Sequence, residues 1–165
     1  MFHLDSDLRQ GLFFGVNSGV ITTAGILAGM VQTSVSPLII IVTIVSLAIS
    51  DGISEAYGLF ISKKVEEPTD KGYGPSKSFF GLLFTKMLIV LSFLIPFLFS
   101  RKLGYFKNMS WPIIWSALVL TVLDYYASKL RQEKIGPYLV KHYVLLAVTL
   151  ALNIFFGKAI DKLHK

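Results

Sequence analysis

The chain contains no cysteine and little charge. Without cysteine there is no disulfide framework, no thiolate metal site and no cysteine nucleophile. Charged residues make up 16% of the 165 residues, against roughly 25% in an average soluble domain. Hydrophobic residues make up 53%. Five membrane spans of ~20 residues would use ~100 residues, which leaves only short connections. That arithmetic excludes a large extramembrane domain and a conventional soluble enzyme with a separate substrate domain. GxxxxGK[ST], HExxH, GxSxG and EF-hand patterns are all missing, and no hydrolase triad is visible. The expectation is a chain that is not an enzyme and carries no resident cofactor.

The formal net charge is +6, from 16 Lys and Arg against 10 Asp and Glu. The basic residues sit mainly between apolar runs, where lipid head groups account for them. No basic stretch with interleaved aromatics points to nucleic acid. The N-terminal MFHLDSDLRQ lacks the basic region and the cleavage site of a signal peptide, so the first apolar run is expected to stay in the mature protein.

Five apolar runs can be read, at about residues 11–31, 37–62, 78–100, 111–128 and 137–159. Each is long enough to cross ~30 Å of hydrocarbon as a helix. Period-two alternation is not sustained, so a β-barrel is not expected. The fold class expected is all-α, a single integral membrane domain over residues 1–165 with five transmembrane helices. Counting Lys and Arg in the flanks gives eight on the side of Arg9, Lys63, Lys64, Lys71, Lys77, Lys129, Arg131 and Lys134. It gives six on the side of Arg101, Lys102, Lys107, Lys158, Lys162 and Lys165. The bias favours a cytoplasmic N-terminus. The implied location is a multi-pass protein of the bilayer, in the cell membrane if the source is prokaryotic.

Polar residues inside such runs are the functional candidates. The second run carries Asp51 and Glu55, four apart and so on one helix face, with Ser54, Gly58 and Ser62 extending the stripe. Paired hard oxygens one turn apart suit a divalent cation or a proton. Asp51 lies ~21 Å from Pro37 along a helix, in the half of the bilayer nearer the cytoplasmic loop. Lys86, ~13 Å inside Lys77, either pairs with these carboxylates or snorkels out. Asp124 and Lys141 are expected to snorkel at the cytoplasmic ends, and His142 to be a hydrogen-bonded packing residue. His3 and His164 are terminal.

The first run has a stripe of small residues, Gly11, Gly15, Ser18, Thr22, Gly25 and Gly29. This stripe is expected to let the second span, or a second protomer, approach closely. Asn17, Ser18, Thr22 and Thr23 add oxygen groups at its middle, opposite the carboxylates. Pro96 is expected to kink the third span or mark its end.

GVNSGVITT, from Gly15 to Thr23, resembles the first-helix motif of the vacuolar iron transporter family, roughly G-x-N-D-G-[LIV]-[VI]-[ST]. GISEAYGLFISK, from Gly52 to Lys63, resembles that family's second-helix motif, roughly A-[IL]-S-M-A-x-G-E-Y-[LV]-S-x. The resemblance implies a five-helix homodimer that moves Fe²⁺ or Mn²⁺ in exchange for protons, with the cation path along the first two helices. It carries over Asn17, Gly19, Ser54, Gly58 and Ser62. Three family positions differ: Ser18 stands for an Asp, Glu55 for a Met and Leu59 for a Glu. A thioether is lost and a carboxylate gained, which moves the expected preference toward harder ions. The glutamate-rich metal-binding domain after the second helix is replaced by fifteen residues, Lys63 to Lys77, with Glu66, Glu67 and Asp70 as acids.

The expected metal ligands are Asp51, Glu55, Asn17, Ser18, Thr22 and Ser54, with a divalent cation as substrate and the bilayer and a second copy as partners. The alternative is a non-transporting membrane scaffold whose carboxylates pair with Lys86 and Lys141. A membrane enzyme acting on lipid has the least support, because no nucleophile and base converge.

Overall fold

Apolar runs that leave no backbone group to water can close their hydrogen bonds only as helices or barrels, and this chain takes the helical solution. The computed structural model describes residues 5–33, 35–66, 73–102 and 110–163, and no strand occurs among them. In chain order the helices are α1 (Ser6–Met30), α2 (Pro37–Ser46), α3 (Gly52–Glu66), α4 (Tyr73–Ser92), α5 (Leu94–Lys102), α6 (Ser110–Arg131) and α7 (Gly136–Leu163). A π-helical turn at Leu47–Asp51 joins α2 to α3. The result is five helices long and apolar enough to cross a membrane: Ser6–Met30, Pro37–Glu66, Tyr73–Phe99, Ser110–Arg131 and Gly136–Leu163. This is the architecture of a multi-pass membrane protein. Large apolar side chains such as Leu38, Leu88, Ile114 and Phe155 are exposed around its outside, as a lipid-facing surface requires. His3, Glu67, Asp70, Lys71, Lys107, His164 and Lys165 lie outside the described residues.

The helices run past the apolar runs because their polar ends are capped or paired. Asp5 caps α1 by accepting from the Asp7 N–H at 3.0 Å. Its other oxygen accepts from Lys77 Nζ at 2.7 Å. That ammonium, then the Asp7 N–H, holds the Asp5 carboxyl below its ordinary range. Lys63, nearly buried near the end of α3, pairs with Asp7. Together these contacts tie the start of α1 to α3 and α4. At α2, Ser36 caps and Pro37 occupies the first turn, where its missing N–H costs nothing. At the end of α6, Glu133 N–H reaches Ser128 O at 3.0 Å and Gln132 N–H reaches Lys129 O at 3.3 Å. Gln132 takes φ 55° to make this left-handed cap.

α1 is the central helix, packed on α4 along much of its length and also on α7 and α6. In lipid the hydrophobic effect does not drive helices together, so close approach of backbones must. The glycine stripe supplies it, but its partners differ from the sequence expectation. A Cβ at Gly11 would lie 2.3 Å from Ser78 O, and one at Gly15 would lie 2.7 Å from Leu82 O, both on α4. Toward the other end, a Cβ at Gly25 would meet Thr149 Cγ2 at 2.7 Å, and one on Gly157 would meet Gly29 O at 2.4 Å. The stripe therefore seats α4 and α7, not the second span. The second span packs chiefly on α4, because its own buried residues Ile40, Ile44, Ala48 and Ala56 turn that way.

The third span breaks just ahead of Pro96. α4 ends at Ser92, Phe93 bonds back to Val90 O at 3.2 Å, and α5 starts at Leu94. Pro96 has no N–H to offer Ser92 O. The freed turn is pinned instead by Trp115 Nε1 donating to Ser92 Oγ at 2.9 Å, while Ser92 Oγ donates to Ile89 O at 2.6 Å.

Two glycine substitutions test this packing. Gly11→Ala forces the α1–α4 backbones apart and is expected to cost about 1–3 kcal/mol. Gly58→Ala, with nothing within 4 Å of the added carbon, is expected to be neutral or to gain up to ~1 kcal/mol of helix propensity. Melting temperatures in one detergent check both. Equal effects at the two sites would contradict the packing.

Candidate cation site

The buried face of the second span repeats every four residues: Ile40, Ile44, Ala48, Gly52 and Ala56. In an α-helix four residues overshoot one turn by ~40°, so four such steps would carry Ala56 well off the face that Ile40 occupies. The π turn at Leu47–Asp51 winds more loosely and takes up that drift. Gly52 and Ala56 thus stay against α4, and a Cβ on Gly52 would lie 3.5 Å from Met87. Asp51 and Glu55, each one residue earlier, fall at the edge of the same face.

On α4 the interior stripe runs Ser78, Leu82, Lys86 and Val90, again four apart. Lys86 is therefore an interior residue, and it is wholly inaccessible. Its ammonium lies 2.5 Å from Asp51 Oδ2 and 2.7 Å from Glu55 Oε2. The distances are those of ion pairs, while the angles miss hydrogen-bond directions, so Lys86 Nζ counts as a charge held between two charges. Ser18 Oγ on α1 donates to Glu55 Oε2 at 2.7 Å. One ammonium, two carboxylates and one hydroxyl from three spans thus meet at one point. The carboxylate side chains remain about 30% exposed (31% for Asp51, 29% for Glu55). The cluster is buried on the α4 side and open on the outer side of α3.

Of the residues expected from sequence, Asp51, Glu55 and Ser18 converge. Lys86 joins both carboxylates rather than snorkelling. Asn17 is half-buried, with an Oδ1 that is inaccessible and accepts no hydrogen bond. Thr22, one turn beyond Ser18, is half-buried. Ser54 and Gly58 are exposed on the outer face of α3, so Ser54 does not share the interior. Among the described residues, no group of three or more His, Cys, Asp or Glu side chains is placed to hold a metal ion. The oxygen donors here are two carboxylates and neutral groups.

A second polar pair was not foreseen. Asp124 does not snorkel: it is wholly buried in α6, and its Oδ1 lies 2.5 Å from His142 Nδ1 on α7. α7 packs on α6, and the Asp124 side chain turns inward to the His142 ring that faces it. Lys141, its neighbour in sequence, is exposed. A signal for this pair existed: an Asp and a His at similar depth in consecutive antiparallel spans.

Comparison of the chain with protein-family models, with curated proteins and with solved structures finds no match. The likeness to the vacuolar iron transporters rests on the two motifs quoted above.

The cluster predicts a double-mutant cycle. Removing one partner of a buried ion pair costs about 3–5 kcal/mol, because it strands the rest. Lys86→Met is therefore expected to lower stability by about 3 kcal/mol or more. Adding Asp51→Asn and Glu55→Gln is expected to restore much of the loss, since no charge is then left stranded. Unfolding in a detergent series checks it, and strictly additive effects would contradict the pairing.

Proposed function

We propose that this chain is a multi-pass membrane transporter of divalent metal cations, Fe²⁺ or Mn²⁺, taken up at Asp51 and Glu55 in exchange for protons. The observation that carries the reading is the cluster itself. Two carboxylates, one of them bonded by the Ser18 hydroxyl, already hold a cation, the Lys86 ammonium, and stay about 30% exposed. Ionisable groups in such segments mark ion pathways.

The charge count gives the coupling. Two carboxylates and one ammonium sum to −1. A divalent ion on the same oxygens adds +2, so it competes with the Lys86 ammonium for the carboxylates. Cation entry displaces the ammonium from the carboxylates, and protons taken up by Asp51 and Glu55 release the cation, since carboxylates can exchange one for the other. Lys86 acts as the built-in competitor that keeps binding weak enough for release, as conduction requires. Ser18, and Asn17 with its unpartnered oxygen, supply neutral donors, and Thr22 extends them along α1. The π turn fits this role, since such turns often occur at functional sites. The same reading includes a second copy of the chain as partner.

A second reading is a non-transporting scaffold. It is favoured by one observation: both carboxylates already sit on Lys86, and cavities of about 390 and 460 Å³ are lined by residues other than these.

Proteoliposome flux with Fe²⁺, Mn²⁺, Zn²⁺, Co²⁺ and Ca²⁺ and a pH reporter separates the two. Transport predicts flux with counter-movement of protons, Mn²⁺ competing at least as well as Fe²⁺, and no competition by Cu⁺. Asp51→Asn and Glu55→Gln are each expected to cut flux by about tenfold or more, the factor that 1.4 kcal/mol of lost binding produces. Ser18→Asp with Glu55→Met is expected to move preference toward Fe²⁺. Flux at the level of empty vesicles, or amide variants equal to the wild type, supports the scaffold.

A further inference from the structure

The bundle carries a second candidate site on the side of α1 away from Lys63 and Lys77. Two cavities meet there. One, of about 390 Å³, is a groove walled by apolar residues of α1 and α6, with Ile89 of α4 at its base. The other, of about 460 Å³, lies at the α1 N-terminus and the α6 C-terminus and is lined by Arg9, Gln10, Arg131 and Tyr138, among others. Phe13 and Leu130 line both cavities, so the apolar groove adjoins the polar mouth.

The dimensions are those of one leaflet. Along α6 the apolar lining runs from Val119 to Leu130, a rise of eleven residues or ~16 Å at 1.5 Å per residue. Half of a ~30 Å hydrocarbon core is ~15 Å. The apolar part is thus as long as a lipid chain is deep, and the mouth falls where head groups lie.

The charge at the mouth is positive. The acids nearest Arg9 in sequence are spent elsewhere, Asp5 on Lys77 and Asp7 on Lys63. Among the described residues, no carboxylate lies within ion-pair distance of Arg9. Arg131 engages Glu133 through Nε alone, at 3.1 Å, and its side chain is 69% exposed. Glu133 is also held by the Tyr138 hydroxyl at 2.6 Å, and that bond first, with Arg131 second, keeps its carboxyl below the ordinary range. Arg9 and Arg131 both line the mouth, and the terminal nitrogens of Arg131 stay available. Guanidinium is the donor geometry that suits phosphate.

We propose that this groove binds one anionic phospholipid of the bilayer, an acyl chain between α1 and α6 and the phosphate on Arg9 and Arg131. Basic mouths between membrane helices are the usual seat for such head groups. Asp51, Glu55, Ser18 and Lys86 do not line this groove, and the proposal does not rest on the transport reading, because binding is measured without flux.

Native mass spectrometry of the detergent-solubilised full chain tests it, with phosphatidylglycerol, phosphatidylcholine and inorganic phosphate as probes. The wild type is expected to retain one phosphatidylglycerol in preference to phosphatidylcholine. Arg9→Gln with Arg131→Gln is expected to weaken phosphatidylglycerol about 30-fold, the product of two surface charges. Both arginines are exposed, so the melting temperature of this variant is expected to hold. Val122→Trp, from an exposed position in the groove, is expected to reduce retention of both lipids with the arginines intact. Equal retention of the two lipids by the wild type would overturn the proposal. So would undiminished phosphatidylglycerol binding in the double variant, or displacement of the lipid by millimolar phosphate alone.

Discussion

The ammonium of Lys86 sits where no water reaches it and where two carboxylates hold it. A buried charge of this kind costs several kcal/mol unless it is paired. That cost sets the arrangement around it. α4 must face α3, because the carboxylates are there. α1 must bring Ser18 to Glu55, because the carboxylate oxygens need donors. The π turn follows from the same demand, since a regular helix would rotate Asp51 and Glu55 away from the α4 face that Ile40 and Ile44 already occupy.

The rest of the bundle rests on backbone approach. Gly11 and Gly15 on α1, with Gly81 on α4, allow main chains to touch at one end; Gly29 and Gly157 do so at the other, where Gly25 makes room for the Thr149 and Asn153 side chains. α1 can therefore be the central helix without large side chains of its own at the crossings. The two devices divide the work. Glycines fix how near the helices lie, and the ion cluster fixes how α3 and α4 are rotated about their axes.

Much of this was legible in the sequence. Apolar length announced five helices. The stripe from Gly11 to Gly29 announced a close crossing, and the i, i+4 pair of Asp51 and Glu55 announced a polar site. What could not be read was partnership. A small-residue stripe says that some helix comes near, not which one, and α4 and α7 won because they carry Gly81 and Gly157 at the matching depths. Lys86 was ambiguous because a lysine stem can reach the interface from ~13 Å. Its place on the stripe of Ser78, Leu82 and Val90 decides for the interior. Depth alone puts Asp124 at the cytoplasmic end, while its rotation toward His142 depends on how α6 and α7 meet. Ser54 shares a sequence motif with Glu55 but lies a helical step of ~100° away, which puts it on the outer face.

We propose that the two carboxylates hold either the Lys86 ammonium or a divalent cation. Solid-state NMR distance measurement between lysine Nζ and the Asp51 and Glu55 carboxyl carbons, in bilayers, tests this most directly. Mg²⁺ serves as a diamagnetic stand-in for Mn²⁺, since both favour oxygen ligands. The account predicts strong nitrogen–carbon dipolar coupling to both carboxyls without Mg²⁺, and its loss when Mg²⁺ saturates the site. Coupling absent from the start would contradict the pairing, and coupling unchanged by Mg²⁺ would contradict the exchange.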